Sequence, residues 1–127
     1  MISWVFDAGA LIAIERGDRA FVAELLVARK RGIARRTNAV VLGQVWRGGT
    51  TSQVQLARAL RSVEIRDVTE ADGREAGSLL GASGTSDVVD ASLVLIAHNG
   101  DVIATSDPED IRRLAAALDV SVKIRQV

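Results

Sequence analysis

Apolar positions along the chain follow two different periods. Ile2-Ser3-Trp4-Val5-Phe6 and Val102-Ile103-Ala104-Thr105 are short, nearly continuous runs of β-branched, aromatic and small residues, the pattern of buried strands. Each ends in a carboxylate, Asp7 and Asp107 respectively. Phe21, Leu25, Leu26 and Ala28 instead recur at helical spacing, so residues 19–30 form an amphipathic helix. Its last turn, Arg29-Lys30-Arg31, complements the helix dipole, and Gly32 closes it.

The remaining segments fit between these anchors. A short helix over residues 8–15 stops at Gly17, and residues 33–36 make a brief second strand. Thr37 or Asn38 then caps a helix carrying Val40, Val41, Leu42, Val45 and Trp46, which ends at Gly48-Gly49. A further helix covers residues 52–60. Val63 to Val68 alternates apolar and charged residues, the period of a half-buried strand near a sheet edge. Thr69 and Asp72 resemble a capping pair that opens a helix to residue 82, and residues 81–85 read as a flexible loop. Ser86 caps a helix over residues 87–98 that is apolar almost all round. Pro108 opens a helix to residue 118, and residues 122–126 supply a last strand.

Strands alternating with helices make a parallel sheet covered on both faces. The expected architecture is α/β: three α/β/α layers around a central, mostly parallel sheet of four to five strands. At 127 residues the chain is expected to be one domain, residues 1–127, large enough to bury a core.

Charge and composition narrow the chemistry. Lys plus Arg and Asp plus Glu balance at 16 each, so no global field draws in nucleic acid, and any such surface must be local. The absence of cysteine excludes disulfides, thiolate catalysis and Cys-based metal sites, and suits a reducing compartment. No basic region precedes a long apolar stretch at the N-terminus, and the longest apolar run is too short for a bilayer. The sequence thus reads as a soluble cytoplasmic protein without a membrane partner.

The acids carry the chemical question. Asp is a favoured helix cap, and Asp107-Pro108-Glu109-Asp110 is a near-ideal helix start, so Asp7 and Asp107 taken singly read as caps. Together they change meaning. In open α/β sheets ligands gather beyond the carboxyl ends of the strands, where strand order reverses, and neighbouring strands there would bring the two carboxylates face to face. Repulsion between them is relieved by a hard divalent cation. Asp87 and Asp90, three apart on one helix face, add two more acids, and Asp90 falls inside the apolar pattern, where a carboxylate needs a partner.

Four segments in this order resemble the PIN-domain family, specifically the VapC-type toxin ribonucleases of bacterial toxin–antitoxin pairs. They are Val5-Phe6-Asp7 with Ala8-Gly9-Ala10-Leu11-Ile12; Val40 through Gly48; Asp90 through Ala97; and Val102 through Pro108. The resemblance implies a twisted parallel sheet with the first strand central, and a cluster of acids holding Mg²⁺ or Mn²⁺. It implies cleavage of single-stranded or looped RNA by metal-activated water, a homodimer, and a small VapB-like antitoxin whose C-terminal segment covers the active-site groove. Asp7, Asp90 and Asp107 match the family's acidic positions, and Asp87 is a candidate fourth ligand or hydrogen-bond acceptor.

One position departs from the family. Gln44 stands where a Glu is usual: it keeps an oxygen able to ligate but removes a charge, so metal affinity falls unless Asp87 replaces it. The alternative reading is therefore a weakened or inactive PIN-like module that binds RNA or protein. Other groups are weaker candidates. His98 is two turns beyond Asp90, about 12 Å at the standard helical rise, too far to share a metal. Arg29, Lys30, Arg31, Arg35, Arg36 and Arg47 make the first half locally basic and offer phosphate contacts. Thr105 and Ser106 flank Asp107 as possible hydrogen-bond partners. The four aromatics, Trp4, Phe6, Phe21 and Trp46, give no clear base-stacking platform, three of them reading as core. Receiver domains and haloacid-dehalogenase-type phosphatases fit poorly: the only lysines, Lys30 and Lys123, do not suit the first, and Gly9 stands where the second needs an Asp.

Overall fold

A computed structural model describes residues 2–127 of the chain. Strands β1 (Ser3–Phe6), β2 (Ala34–Asn38), β3 (Glu64–Arg66), β4 (Val102–Thr105) and β5 (Lys123–Gln126) form one sheet in the order β3-β2-β1-β4-β5. Every pairing is parallel. β1 is central, with Val5 opposite Arg36 of β2 and opposite Ile103 of β4. The chain steps from β1 through β2 to β3 in one direction, then crosses back to β4 and β5, so strand order reverses between β1 and β4.

The helices are α1 (Ala8–Arg16), α2 (Arg19–Lys30), α3 (Ala39–Val45), α4 (Val54–Leu60), α5 (Glu70–Ser83), α6 (Val88–Val94) and α7 (Pro108–Leu118), with one 3₁₀ turn, Thr51–Gln53. α1 packs against α2, α3 and α4, while α5, α6 and α7 pack on one another. The result is three layers, α/β/α. Phe6, Leu11, Leu93, Ile103, Ile111 and Leu114 are fully buried between them. Each such side chain is worth roughly 1.5–3 kcal/mol relative to exposure.

Most elements form where the hydrophobic periods place them, and the differences have local causes. β2 runs on through Asn38, whose side chain accepts from the Val41 amide 2.9 Å away and so caps α3. α3 stops at Val45, before the glycines, because Trp46 is already extended at ψ 130°. β3 keeps only Glu64–Arg66, all exposed, as befits an edge strand rather than a half-buried one. Residues 81–83 are helical, and only Gly84, at φ 71°, leaves α5. The Thr69 and Asp72 capping box is present as expected. The apolar helix is shorter than its pattern: Asp87, not Ser86, caps it, and it ends at Val94, because His98 and Asp101 close a separate turn.

Asp101 accounts for a charge the sequence leaves ambiguous. It is fully buried at the start of β4 and accepts from the Ser3 amide at 2.9 Å, the His98 amide at 2.8 Å and Arg36 Nη1 at 3.1 Å. Arg36 Nη2 donates to Ser3 Oγ at 3.0 Å. Arg36 is therefore a buried structural cation and is not available for phosphate contacts.

Candidate metal centre

The site lies where strand order reverses, beyond the carboxyl ends of β1 and β4, and three elements deliver its acids. β1 ends at Phe6 and hands the chain to Asp7, which is only 4% exposed. Its Oδ1 accepts from the Ala10 amide at 2.8 Å and caps α1. Its Oδ2 accepts from the Ser106 amide at 3.1 Å, which ties it to the loop after β4. Burial pushes the Asp7 carboxyl above its ordinary value, against the pull of the Thr105 hydroxyl and the amides of Ala10, Ser106 and Gly9.

Asp107 starts α7 from an equivalent strand end but is used differently. Its side chain makes no capping hydrogen bond, and Pro108 at the first helical position has no amide that needs a partner. Its amide donates to Thr105 Oγ1 at 2.8 Å, which turns the chain and leaves the carboxylate exposed. One turn on, Asp110 projects from the same helix end. Asp90 comes from the first turn of α6, half-buried. Carboxylate oxygens of Asp90, Asp107 and Asp110 all lie within 4.8 Å of one another.

The charges here are uncompensated. Among the described residues no Lys, Arg or His forms an ion pair with Asp7, Asp87, Asp90, Asp107 or Asp110. Burial, then the like charges of Asp87, Asp7, Asp107 and Asp110, push the Asp90 carboxyl up to about 7. Such a set of hard oxygen donors without a counter-charge fits a divalent cation of the Mg²⁺, Mn²⁺ or Ca²⁺ kind.

Not every acid named from the sequence joins the close group. Asp87 is exposed, and its Oδ1 accepts from the amides of Val89 at 2.9 Å and Asp90 at 3.1 Å, capping α6. It acts on Asp90 through charge. Asp7 stands beside the group with both oxygens already hydrogen-bonded. Gln44 is exposed near the end of α3, and among the described residues its side chain makes no hydrogen bond; its carbonyl accepts from Arg47 Nη2 at 3.2 Å. His98 lies away from the acids, against Arg36 and Asp101.

Asp110 is the member sequence reasoning missed. Helix-start chemistry explained it as a first-turn acid, yet its i+3 spacing from Asp107 was the available signal. Gly9 is a second omission. A Cβ there would overlap the Ser106 side chain, so only glycine lets α1 approach the β4–α7 loop closely enough for the bond between Ser106 and Asp7.

No family model matches the chain, and no curated protein matches it. Among solved structures, it is similar to a chain of VapBC2 from Rickettsia felis, in a crystal structure bound to a DNA fragment from their promoter. That likeness has a TM-score of 0.70 at 14% identity and covers 98% of this chain and 99% of the other. At this identity the likeness concerns the fold, a PIN-like three-layer arrangement around a five-stranded parallel sheet.

Proposed function

We propose that this chain is a metal-dependent endoribonuclease, the toxin of a type II toxin–antitoxin pair, with Mg²⁺ or Mn²⁺ held by Asp90, Asp107 and Asp110 beside Asp7. The observation that carries the reading is the meeting of three carboxylates within 4.8 Å, without a counter-cation, at the point where strand order reverses. The four sequence segments that resemble VapC-type proteins and the fold shared with a VapBC2 chain support it. A cation held there would lower the pKa of a bound water and neutralise charge on a phosphodiester.

The chain's own residues prepare that chemistry. The amides of Ala10 and Ser106 fix Asp7 from two sides, so its negative charge is held at one place relative to β1 and β4. Asp90, with its carboxyl pushed up to about 7 by burial and by the neighbouring acids, is the group whose charge a cation held there would favour. Asp87 keeps the start of α6, and hence Asp90, in position. Gln44 supplies at most a neutral oxygen, so Asp110 provides the charge that Glu brings elsewhere in the family.

The partner reading has its own support. An apolar groove of about 570 Å³ runs between α1, α2 and α4. Val22, Leu25, Leu26 and Ala59 line it, with Arg29 and Arg58 beside them, a surface suited to an acidic amphipathic segment of a small VapB-like antitoxin. A homodimer completes this reading, and light scattering of the purified chain checks it.

The test is incubation of a structured RNA with the protein in Mg²⁺, Mn²⁺ or EDTA, beside Asp7→Asn. Cleavage that needs the metal and is lost in the variant is the expected result. Cleavage that survives EDTA or the substitution refutes the reading. Tight RNA binding without cleavage favours the non-catalytic module, the outcome to which exposed, neutral Gln44 points.

A further inference from the structure

Trp46 stands outside the hydrophobic core, 37% exposed, whereas Phe6 and Phe21 are buried and Trp4 packs against the core. A single exposed apolar side chain needs no explanation. The loop beneath this one does. Gly48 and Gly49 take φ of 101° and 74°, and Thr51 takes φ 52°, a left-handed conformation that is a genuine outlier for a β-branched residue. At Gly49 a Cβ would overlap the six-membered ring of Trp46, so the indole lies directly on the glycine backbone.

Strained backbone persists only where its surroundings over-determine it. Here Gln53, 4% exposed, does so with four hydrogen bonds. Its Oε1 accepts from the amides of Arg47 at 2.7 Å and Gly49 at 3.2 Å. Its Nε2 donates to the Val45 carbonyl at 2.8 Å and to Glu15 Oε1 at 2.6 Å, tying the loop to the end of α1. The Arg47 guanidinium donates to the Trp46 carbonyl at 2.7 Å and the Gln44 carbonyl at 3.2 Å, which folds an exposed cation back over the end of α3, one residue from Trp46 in the chain. Among the described residues Trp46 has no aromatic partner and no cation over its face.

From this we infer that Trp46 is a stacking platform for an unpaired base of single-stranded RNA, with Arg47 beside it for the adjoining phosphate. The chain segment around the ring favours a base over a protein surface: Gly43, Gln44, Arg47, Gly48 and Thr50 are exposed and small or polar, and the exposed apolar residues of the flanking helices, Val40 and Val54, stand six and eight residues away in the chain. A base presents a π-face that an indole accepts whatever the sequence, and an adjacent cation takes the backbone charge. The position also suits the acid cluster. α3 follows Asn38, at the carboxyl edge of the sheet from which Asp7 also emerges, and its seven residues carry the chain about 10 Å from there before Trp46. This assignment rests on the RNA-cleaving reading of those acids but is tested apart from it.

The experiment uses Trp4→Phe protein, in which Trp46 is the one indole, in EDTA so that no metal-dependent cleavage occurs. Emission is followed during titration with single-stranded oligoadenylate and oligouridylate, with duplex RNA of equal length as control. Quenching by the single strands and not by the duplex is expected. In parallel, anisotropy of a labelled single strand should report binding roughly 5- to 150-fold weaker for Trp46→Ala, with Trp46→Phe retaining most of the affinity. Binding that leaves the emission unchanged, an affinity unaltered in Trp46→Ala, or no binding of single strands at all overturns the inference. Metal-dependent cleavage with a silent indole would leave the nuclease reading standing alone. Quenching without cleavage in Mn²⁺ would do the reverse.

Discussion

Asp7 and Asp107 show how little a residue's local sequence says about the use of its charge. Both follow an apolar strand and precede a helix, but Asp7 spends an oxygen on capping and Asp107 does not. The free carboxylates of Asp107 and Asp110 should therefore dominate cation binding. Asp110→Asn is expected to weaken Mn²⁺ binding at least about tenfold by titration calorimetry, the loss typical even of outer groups at metal sites. Gln44→Glu should strengthen it and raise the rate of RNA cleavage; an unchanged affinity would place Gln44 outside the cation's reach. Asp90 sets the pH response. Its carboxyl, at about 7, lies above the unfolded value near 3.9, so its contribution to stability is complete below about pH 4 and lost as pH rises through 7. Metal-free protein should thus gain stability from Asp90→Asn at pH 8 and not at pH 3.5, read as the difference in urea midpoint between the two proteins.

At the scale of elements, the site depends on how α1 and the β4–α7 loop approach each other. Gly9 permits that approach, and the amide of Ser106 then reaches Asp7. Gly9→Ala should cost about 1–3 kcal/mol in denaturant unfolding, the usual penalty of overpacking, and also weaken Mn²⁺ binding by displacing Asp7. Wild-type stability with wild-type metal affinity in this variant would mean that the loop yields without consequence. At the other end of β4, Arg36 and Asp101 fix β2 against the start of that strand, an arrangement no spacing in the sequence foretold because the two residues are joined only by strand order.

The whole molecule is organised around one electrostatic conflict. Five acids from three segments gather at the switch point between β1 and β4, while the net charge of the chain is zero. A cation that binds only the folded state adds about 2.7 kcal/mol when present at a hundred times its dissociation constant. Saturating Mn²⁺ is accordingly expected to raise the melting temperature by roughly 10 °C at pH 8, with EDTA reversing the gain and Asp107→Asn abolishing most of it. A melting temperature indifferent to Mn²⁺ would remove the metal centre from the fold's energetics.

The hydrophobic periods by themselves determined the order of strands and helices, the buried first strand, the capping box at Thr69 and the parallel α/β class, because each depends on residues close in the chain. They also exposed Asp7, Asp90 and Asp107 as candidates, since a carboxylate beside an apolar run is visible without a fold. Tertiary structure decided which acids meet. Asp110 entered the close group and Asp87 stayed at its cap through the packing of α6 against α7, which no local pattern encodes. It also left Trp46 exposed, because α3 ends before it and the glycines after it turn left-handed. Local preference fixes which element forms; only packing between distant elements fixes what their ends confront.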